Sequence, residues 1–338
     1  MQPLHLGPAP LPPGTPAPEG RFVELGGESH YRIDGVDALP PFLISLISAS
    51  DHWLFVSSAG GLTAGRRDAR GALFPYTTDD RVHDASGRRG PRTVLRVHRD
   101  GRVHLWEPFL PGALPLDPIE RSLAKSVTGT RLVFEERNPA LGLTFRATWT
   151  SGERFGFQRQ VELLEERGEE VTVEVLDGLL DVLPAGVDTG MQTAYSTLVD
   201  AYKRTELCAG TGLALYRLSS VPVDRPEPSE ALAVNTIWCE GLEAPRILLS
   251  ERQVEPFRRG QEVQAETDVR GVRGAYLVRT DLRIQAGSTA AWRLVAEVEQ
   301  DSAAVADLQA ALEGGRIKAA DLDADAEDNA RQVGRLVA

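Results

Sequence analysis

Two runs of alternating apolar and polar residues flank an Asp-Gly pair: Thr93-Val94-Leu95-Arg96-Val97-His98 precedes Asp100-Gly101, and Val103-His104-Leu105-Trp106 follows it. Alternation with a period of two is the signature of a strand with one buried face, and Asp-Gly supplies the positive φ angles that a tight hairpin demands. The same texture runs through most of the chain. Arg131 to Glu135, Leu143 to Thr150, Phe155 to Leu163 and Val171 to Leu176 read as strands, the last almost purely β-branched. Further strands are expected at Gly212 to Ser219, Ala233 to Cys239, Arg246 to Ser250, Ala275 to Ile284 and Ala291 to Val298. Leu43 to Ser48 and Trp53 to Ser57 form another pair, with Asp51 and His52 expected in a tight turn between them. A β region of this length without regular strand–helix alternation predicts a mainly β fold, a large antiparallel sandwich.

The two ends break the pattern. Residues 1–21 carry Pro3, Pro8, Pro10, Pro12, Pro13, Pro16 and Pro18, and read as a flexible extended tail. The β domain is expected over residues 22–300. Residues 301–338 read as a helical linker segment: Asp301 or Ser302 caps a helix over Ala303 to Leu312, Gly314-Gly315 ends it, and a second helix runs from about Ala320 to Val337. Met191 to Leu207 fits a helical stripe through Ala194, Tyr195, Leu198, Ala201 and Tyr202 about as well as a strand, and is read as a short helix.

Charge and cysteine usage narrow the function classes. The chain has 338 residues, 49 acidic against 37 basic, and a net charge of -12, which disfavours a nucleic-acid partner. No apolar run approaches the roughly 20 residues of a membrane helix, so no membrane partner is expected. Two cysteines, Cys208 and Cys239, form no C-x-x-C motif, and the N-terminus shows no export signal, so the cytoplasm is the expected location. Phosphate-loop, nucleophile-elbow and zinc-helix motifs are absent, and the six histidines are scattered, so no cofactor and no metal site is expected. Asp321, Asp323, Asp325, Glu327 and Asp328 resemble a calcium loop only superficially, because Ala326 and Gln332 stand where a glycine and a closing glutamate are needed; an acidic helix start fits better. The adjacent pairs Glu135-Glu136, Glu165-Glu166 and Glu169-Glu170 point to opposite faces of any strand and read as solvated turns, not as a glycosidase dyad.

The densest chemistry lies between Ser57 and Asp80. Gly60, Gly61 and Gly65 permit tight turns, Arg66 and Arg67 can hold an anion, Tyr76 can stack on a sugar ring, and Asp79 and Asp80 can accept from hydroxyls. A hairpin loop with a surface Arg–Asp network is the structural alternative for the same residues.

Several long phrases resemble one family. These are Tyr31-Arg32-Ile33, Pro41-Phe42-Leu43, Ser50-Asp51-His52-Trp53, Ser57 to Arg66 and Leu73 to Asp80. Thr150-Ser151-Gly152-Glu153-Arg154-Phe155-Gly156, Leu176 to Leu179, Leu198 to Lys203 and Val223 to Leu232 continue the likeness. Together they resemble large bacterial proteins related to cellobiose phosphorylases, the glycoside hydrolase family 94-like group formerly placed with glycosyltransferases. The resemblance implies an N-terminal β-supersandwich of the galactose-mutarotase-like kind, a helical linker and then a catalytic (α/α)6 barrel that carries the general acid. This chain matches the sandwich and linker and stops before the barrel, so no catalytic residue carries over. The implied role is a non-catalytic sandwich that supports dimerisation and the barrel rim, with a catalytic barrel domain or polypeptide of the same enzyme, a second copy and carbohydrate as partners. Arg66, Arg67, Tyr76, Asp79 and Asp80 are the rim candidates. Two stand-alone readings compete: a sugar mutarotase using His98 or His104 with a nearby glutamate, and a carbohydrate-binding module stacking sugars on Trp53, Trp106 or Trp149, for which core packing is the alternative.

Overall fold

Asp100 and Gly101 take positive φ angles of 53° and 71° and close the hairpin that their sequence announces. The computed structural model describes residues 4–10, 17–110, 118–195, 197–222 and 231–337. In chain order it begins with β1 (His5–Leu6), β2 (Ala9–Pro10), β3 (Glu19–Leu25), β4 (Glu28–Asp34), β5 (Leu43–Leu46), β6 (His52–Ser57), β7 (Leu62–Arg66) and helix α1 (Asp79–Asp84). The central part holds β8 (Gly90–Arg99), β9 (Arg102–Trp106), β10 (Glu120–Ser126), β11 (Leu132–Asn138), β12 (Leu143–Gly152), β13 (Gly156–Glu165) and β14 (Val171–Val182). Then come α2 (Thr189–Tyr195), α3 (Leu198–Tyr202), β15 (Lys203–Leu207), β16 (Ala214–Leu218), β17 (Val234–Glu240), β18 (Arg246–Leu248) and α4 (Val254–Arg258). The last elements are β19 (Asp268–Arg270), β20 (Gly274–Ile284), β21 (Thr289–Gln300), α5 (Ser302–Glu313) and α6 (Ala319–Val337).

Among the described residues an 11-stranded antiparallel sheet runs β19-β15-β16-β17-β21-β13-β12-β11-β10-β4-β3. A five-stranded sheet, β18-β20-β14-β8-β9, and a three-stranded sheet, β5-β6-β7, pack against its inner face. The fold is therefore mainly β with large antiparallel sheets. Strand β12 shows how the sequence builds it. Leu143, Phe145, Ala147 and Trp149 point into the core, and Thr144, Arg146, Thr148 and Thr150 point out. Strand β14 is buried on both sides: Val171, Val173 and Val175 face the main core, while Leu176 and Leu180 join a second cluster under Phe257 of α4. That double burial explains its near-continuous apolar run.

Helix α5 starts where its cap predicts, with Asp301 Oδ1 accepting from Ala304 N at 2.9 Å. Helix α6 lies on the outer face of the large sheet and buries Leu322, Ala326 and Val333. Its Asp325 accepts from Arg154 N (3.1 Å) and Phe155 N (3.0 Å) at the β12–β13 turn, and Asn329 Oδ1 accepts from Ala49 N at 2.7 Å. Gly152 makes room for that carboxylate, since a Cβ there would sit 2.0 Å from Asp325 Oδ2. The acidic helix start is thus engaged piecewise: Asp321 accepts from Lys318 N, and Asp323 pairs with Arg293.

Three local expectations are corrected. His52 is the first residue of β6, not part of a turn. The stretch expected as one helix from Met191 divides into α2, α3 and strand β15, because Lys203–Leu207 pairs with Ala214–Leu218 across a turn in which Gly210 and Gly212 have positive φ. The acidic pairs are not all solvated. Glu136 is fully buried and accepts from Trp106 Nε1 (2.7 Å), Phe109 N (2.7 Å) and Arg121 Nε (2.8 Å). Glu165 is also buried, held by Arg99 Nη2 and the N–H groups of Gly168 and Gly287.

Candidate functional site

The glycine-rich segment folds as the β6–β7 hairpin, and its glycines serve close packing. A Cβ on Gly61 would lie 2.1 Å from Val82 O of α1, and one on Gly65 would lie 2.4 Å from the Trp53 ring. The N–H groups of the turn are already used. Ser57 N donates to Gly61 O (2.7 Å), Ala59 N to Ser57 Oγ (3.1 Å), Gly60 N to Ser57 O (2.8 Å) and Gly61 N to Ser86 Oγ (2.9 Å). This turn therefore presents no free anion cradle of the kind its composition suggests.

At the far end of the hairpin stands a charged knot. Arg66 reaches Asp51 with Nε, Glu297 with Nη1 (3.4 Å) and Glu153 with Nη2 (3.1 Å). Arg67, at a φ of 62°, pairs with Asp51 (3.1 Å) and Glu299 (3.7 Å). His52 is buried against Phe157, with Nε2 at 3.1 Å from Glu297 Oε2 and Nδ1 at 2.7 Å from Ser50 Oγ. Desolvation pushes the Asp51 carboxyl up, but Arg66 and Arg67 together hold it below the usual carboxylate range. The knot sets two arginines against the four carboxylates of Asp51, Glu153, Glu297 and Glu299. Its charge balance suits a hydroxyl-bearing or cationic group better than an anion.

The other sequence candidates sit elsewhere. Arg66 and His52 share the face of Leu54 and Ala64, whereas Trp53 and Phe55 occupy the opposite face of the small sheet. Tyr76 packs edge-on against Trp53, with centroids 5.4 Å apart, and keeps 45% of its surface exposed. Asp80 accepts from Thr78 Oγ1, which lowers its carboxyl below the usual range. Asp79 begins α1, and its side chain lies outside the described residues. The five candidates thus form a charged knot, an aromatic ledge and a helix start, not one convergent site. Sequence reasoning missed Asp51, His52, Glu153, Glu297 and Glu299 as partners. The signal for three of them was present: Asp51 and His52 lie in the Ser50–Trp53 phrase, Glu153 in the Thr150–Gly156 phrase, and both phrases meet Arg66 in space.

The sandwich interior holds a buried ion pair. Arg159 and Asp177, 2% and 0% exposed, pair at 2.8 Å, and Asp177 also accepts from Trp292 Nε1 (2.8 Å) and Thr93 Oγ1 (2.6 Å). Beside them a cavity of only about 40 Å³ remains, walled by Phe134, Phe145, Trp149 and Phe109. Trp106 and Trp149 belong to the core, at 3% and 2% exposure. His98 lies outside it, 2.7 Å from Glu174 Oε1. No helix among the described residues is long and apolar enough to cross a membrane.

No family model and no curated protein matches the chain. Solved structures give likenesses of shape at low identity. A bacterial glucoamylase complexed with acarbose is 8% identical at a TM-score of 0.44, covering 86% of this chain and 38% of its own. A 4-alpha-glucanotransferase from Thermococcus litoralis is 10% identical at 0.32, covering 83% of this chain and 41% of its own. A protein assigned as an aldose 1-epimerase from Klebsiella pneumoniae is 9% identical at 0.34, covering 88% of this chain and 90% of its own. The chain therefore spans well under half the length of the first two.

Proposed function

We propose that this chain is the non-catalytic sandwich module of a carbohydrate-active enzyme of the cellobiose phosphorylase-like kind, supporting dimerisation and the rim of an (α/α)6 barrel, a domain or polypeptide of the same enzyme. The observation that carries the reading is the meeting at the Arg66 knot of three phrases of the resemblance, two of them neighbours in the β6–β7 hairpin and the third distant in sequence, through Asp51, His52, Arg66 and Glu153. His98, one of the two histidines that the sequence offered for mutarotase chemistry, pairs with Glu174 on the far side of its strand from Thr93.

The test is co-expression with a barrel polypeptide of this enzyme type, followed by co-purification. Arg66→Glu is expected to reduce the recovered complex while leaving the circular dichroism of the sandwich intact. Aldose anomerisation by the isolated chain, above the rate with heat-denatured protein, would overturn the reading in favour of a stand-alone mutarotase.

A further inference from the structure

The outer face of the large sheet holds a groove of about 400 Å³, ten times the volume of the interior cavity. Its floor is built by register. Thr150 and Gln158 form one cross-strand pair with Arg131 just before β11 lining the same groove, and Thr148, Gln160 and Arg293 form the next row. Facing residues stand roughly 5 Å apart, and Thr148 and Thr150 roughly 7 Å apart along β12. A third row, Glu135–Arg146–Glu162, is locked by ion pairs of 2.7 and 3.1 Å and closes one side. Asp323 and Glu327 of α6 line another side, and Leu25 and Gly26 of the β3–β4 turn lie beyond Arg131.

Within this groove some polar atoms are spent and others are not. Arg293 is committed to Gln158, Gln160 and Asp323. Among the described residues, the hydroxyls of Thr148 and Thr150 and the amide nitrogen of Gln160 have no hydrogen-bond partner, and the one acid near Arg131 is Glu28, at 3.6 Å. The three cations Arg131, Arg146 and Arg293 are outnumbered by the carboxylates of Glu28, Glu135, Glu162, Asp323 and Glu327, so an anion finds no net attraction. The apolar lining is Leu25, Val133 and Ala326, so neither a nucleobase nor a large apolar side chain has a platform. What remains is a neutral array of donors and acceptors at strand spacing, a match for adjacent hydroxyl groups.

We propose that this groove is a binding site for a neutral saccharide. It goes beyond the proposed function, whose rim uses other residues on other strands. Hydroxyls of the sugar accept from Arg131 and Gln160 and exchange hydrogen bonds with Thr148 and Thr150. Without an aromatic platform the binding is weak, in the millimolar range, and nearly independent of salt.

The experiment is an NMR titration of the full chain with cellobiose, maltose and glucuronate. The expected result is saturable binding of at least one neutral disaccharide, with shifts at the Gln160 side-chain amide and the Thr148 and Thr150 methyls. The double variant Thr148→Val, Thr150→Val weakens it about five- to tenfold, and salt at half-molar changes it less than about twofold. No saturable shift in the wild-type protein overturns the proposal, whether or not the variants fold. So does unchanged binding in a folded double variant. Salt-sensitive binding of glucuronate tighter than either disaccharide also overturns it, by making the groove an anion site.

Discussion

The two faces of the large sheet are made by the same strands and treat charge in opposite ways. Inside, the Arg159–Asp177 pair is shut away from water, and every oxygen of Asp177 is occupied. Outside, Arg32, Glu135, Arg146 and Glu162 form a ladder across four strands that water reaches in part, at 15–31% exposure, flanked by polar side chains with bonding capacity to spare. The inner pair is costly to disturb and offers a ligand nothing. The outer face is cheap to change and offers a great deal. Recognition on this molecule therefore belongs where the hydrogen-bond inventory is incomplete.

The contrast breaks most visibly at Asp177. Asp177→Asn leaves Arg159 buried without its counter-charge and is expected to destabilise the fold by about 3–5 kcal/mol in urea denaturation. A loss below about 1 kcal/mol would mean that the interior is wetter than its packing shows. Glu165 sharpens the comparison through pH. Burial alone would raise its carboxyl, but Gly287 N–H, Arg99 and the N–H groups of Arg167 and Gly168 hold it at about 2 against an ordinary 4.5. A depressed folded-state pKa contributes stability above the unfolded value that is lost as pH falls through the folded one. Glu165→Gln should therefore cost about 1.5–3 kcal/mol at neutral pH. The gap to wild type should close as pH is lowered from 4.5 toward 2, as followed by denaturation across that range. At the junction of the two faces, Asp301→Ala removes the α5 cap and should cost about 1 kcal/mol, read as faster amide exchange at Ala304. Smallest of all, Glu135→Gln in the outer ladder should cost less than about 1 kcal/mol, and still less in high salt. A larger effect there would erase the distinction between the faces.

The inner face was the legible one. Alternation along β12, the β-branched run of β14 and the Asp100-Gly101 turn each follow from local chemistry. So does the Asp301 cap. The knot was half legible: Arg66 and Arg67 stand out by type, but Glu297 and Glu299 lie more than 200 residues away and become their neighbours only through the pairing of β21 within the large sheet. Glu136 misled because an acidic doublet looks solvated, and nothing local reveals that Trp106, Phe109 and Arg121 converge on it. The groove was illegible for the same reason. Thr148, Gln160 and Arg293 are ordinary strand residues until register sets them side by side.

Helix α6 acts as a coincidence detector for assembly. Its Asp325 needs a turned β12–β13 hairpin, and its Asn329 needs the Ser48–Ala49 corner, two sites more than 100 residues apart in the chain. Either contact alone leaves the helix half anchored, and docking it last requires closing both long loops first. One wall of the outer groove is α6 itself. A ligand held there would clamp the final step of folding and slow the helix's release, so the groove would register that both distant parts of the sandwich are in place.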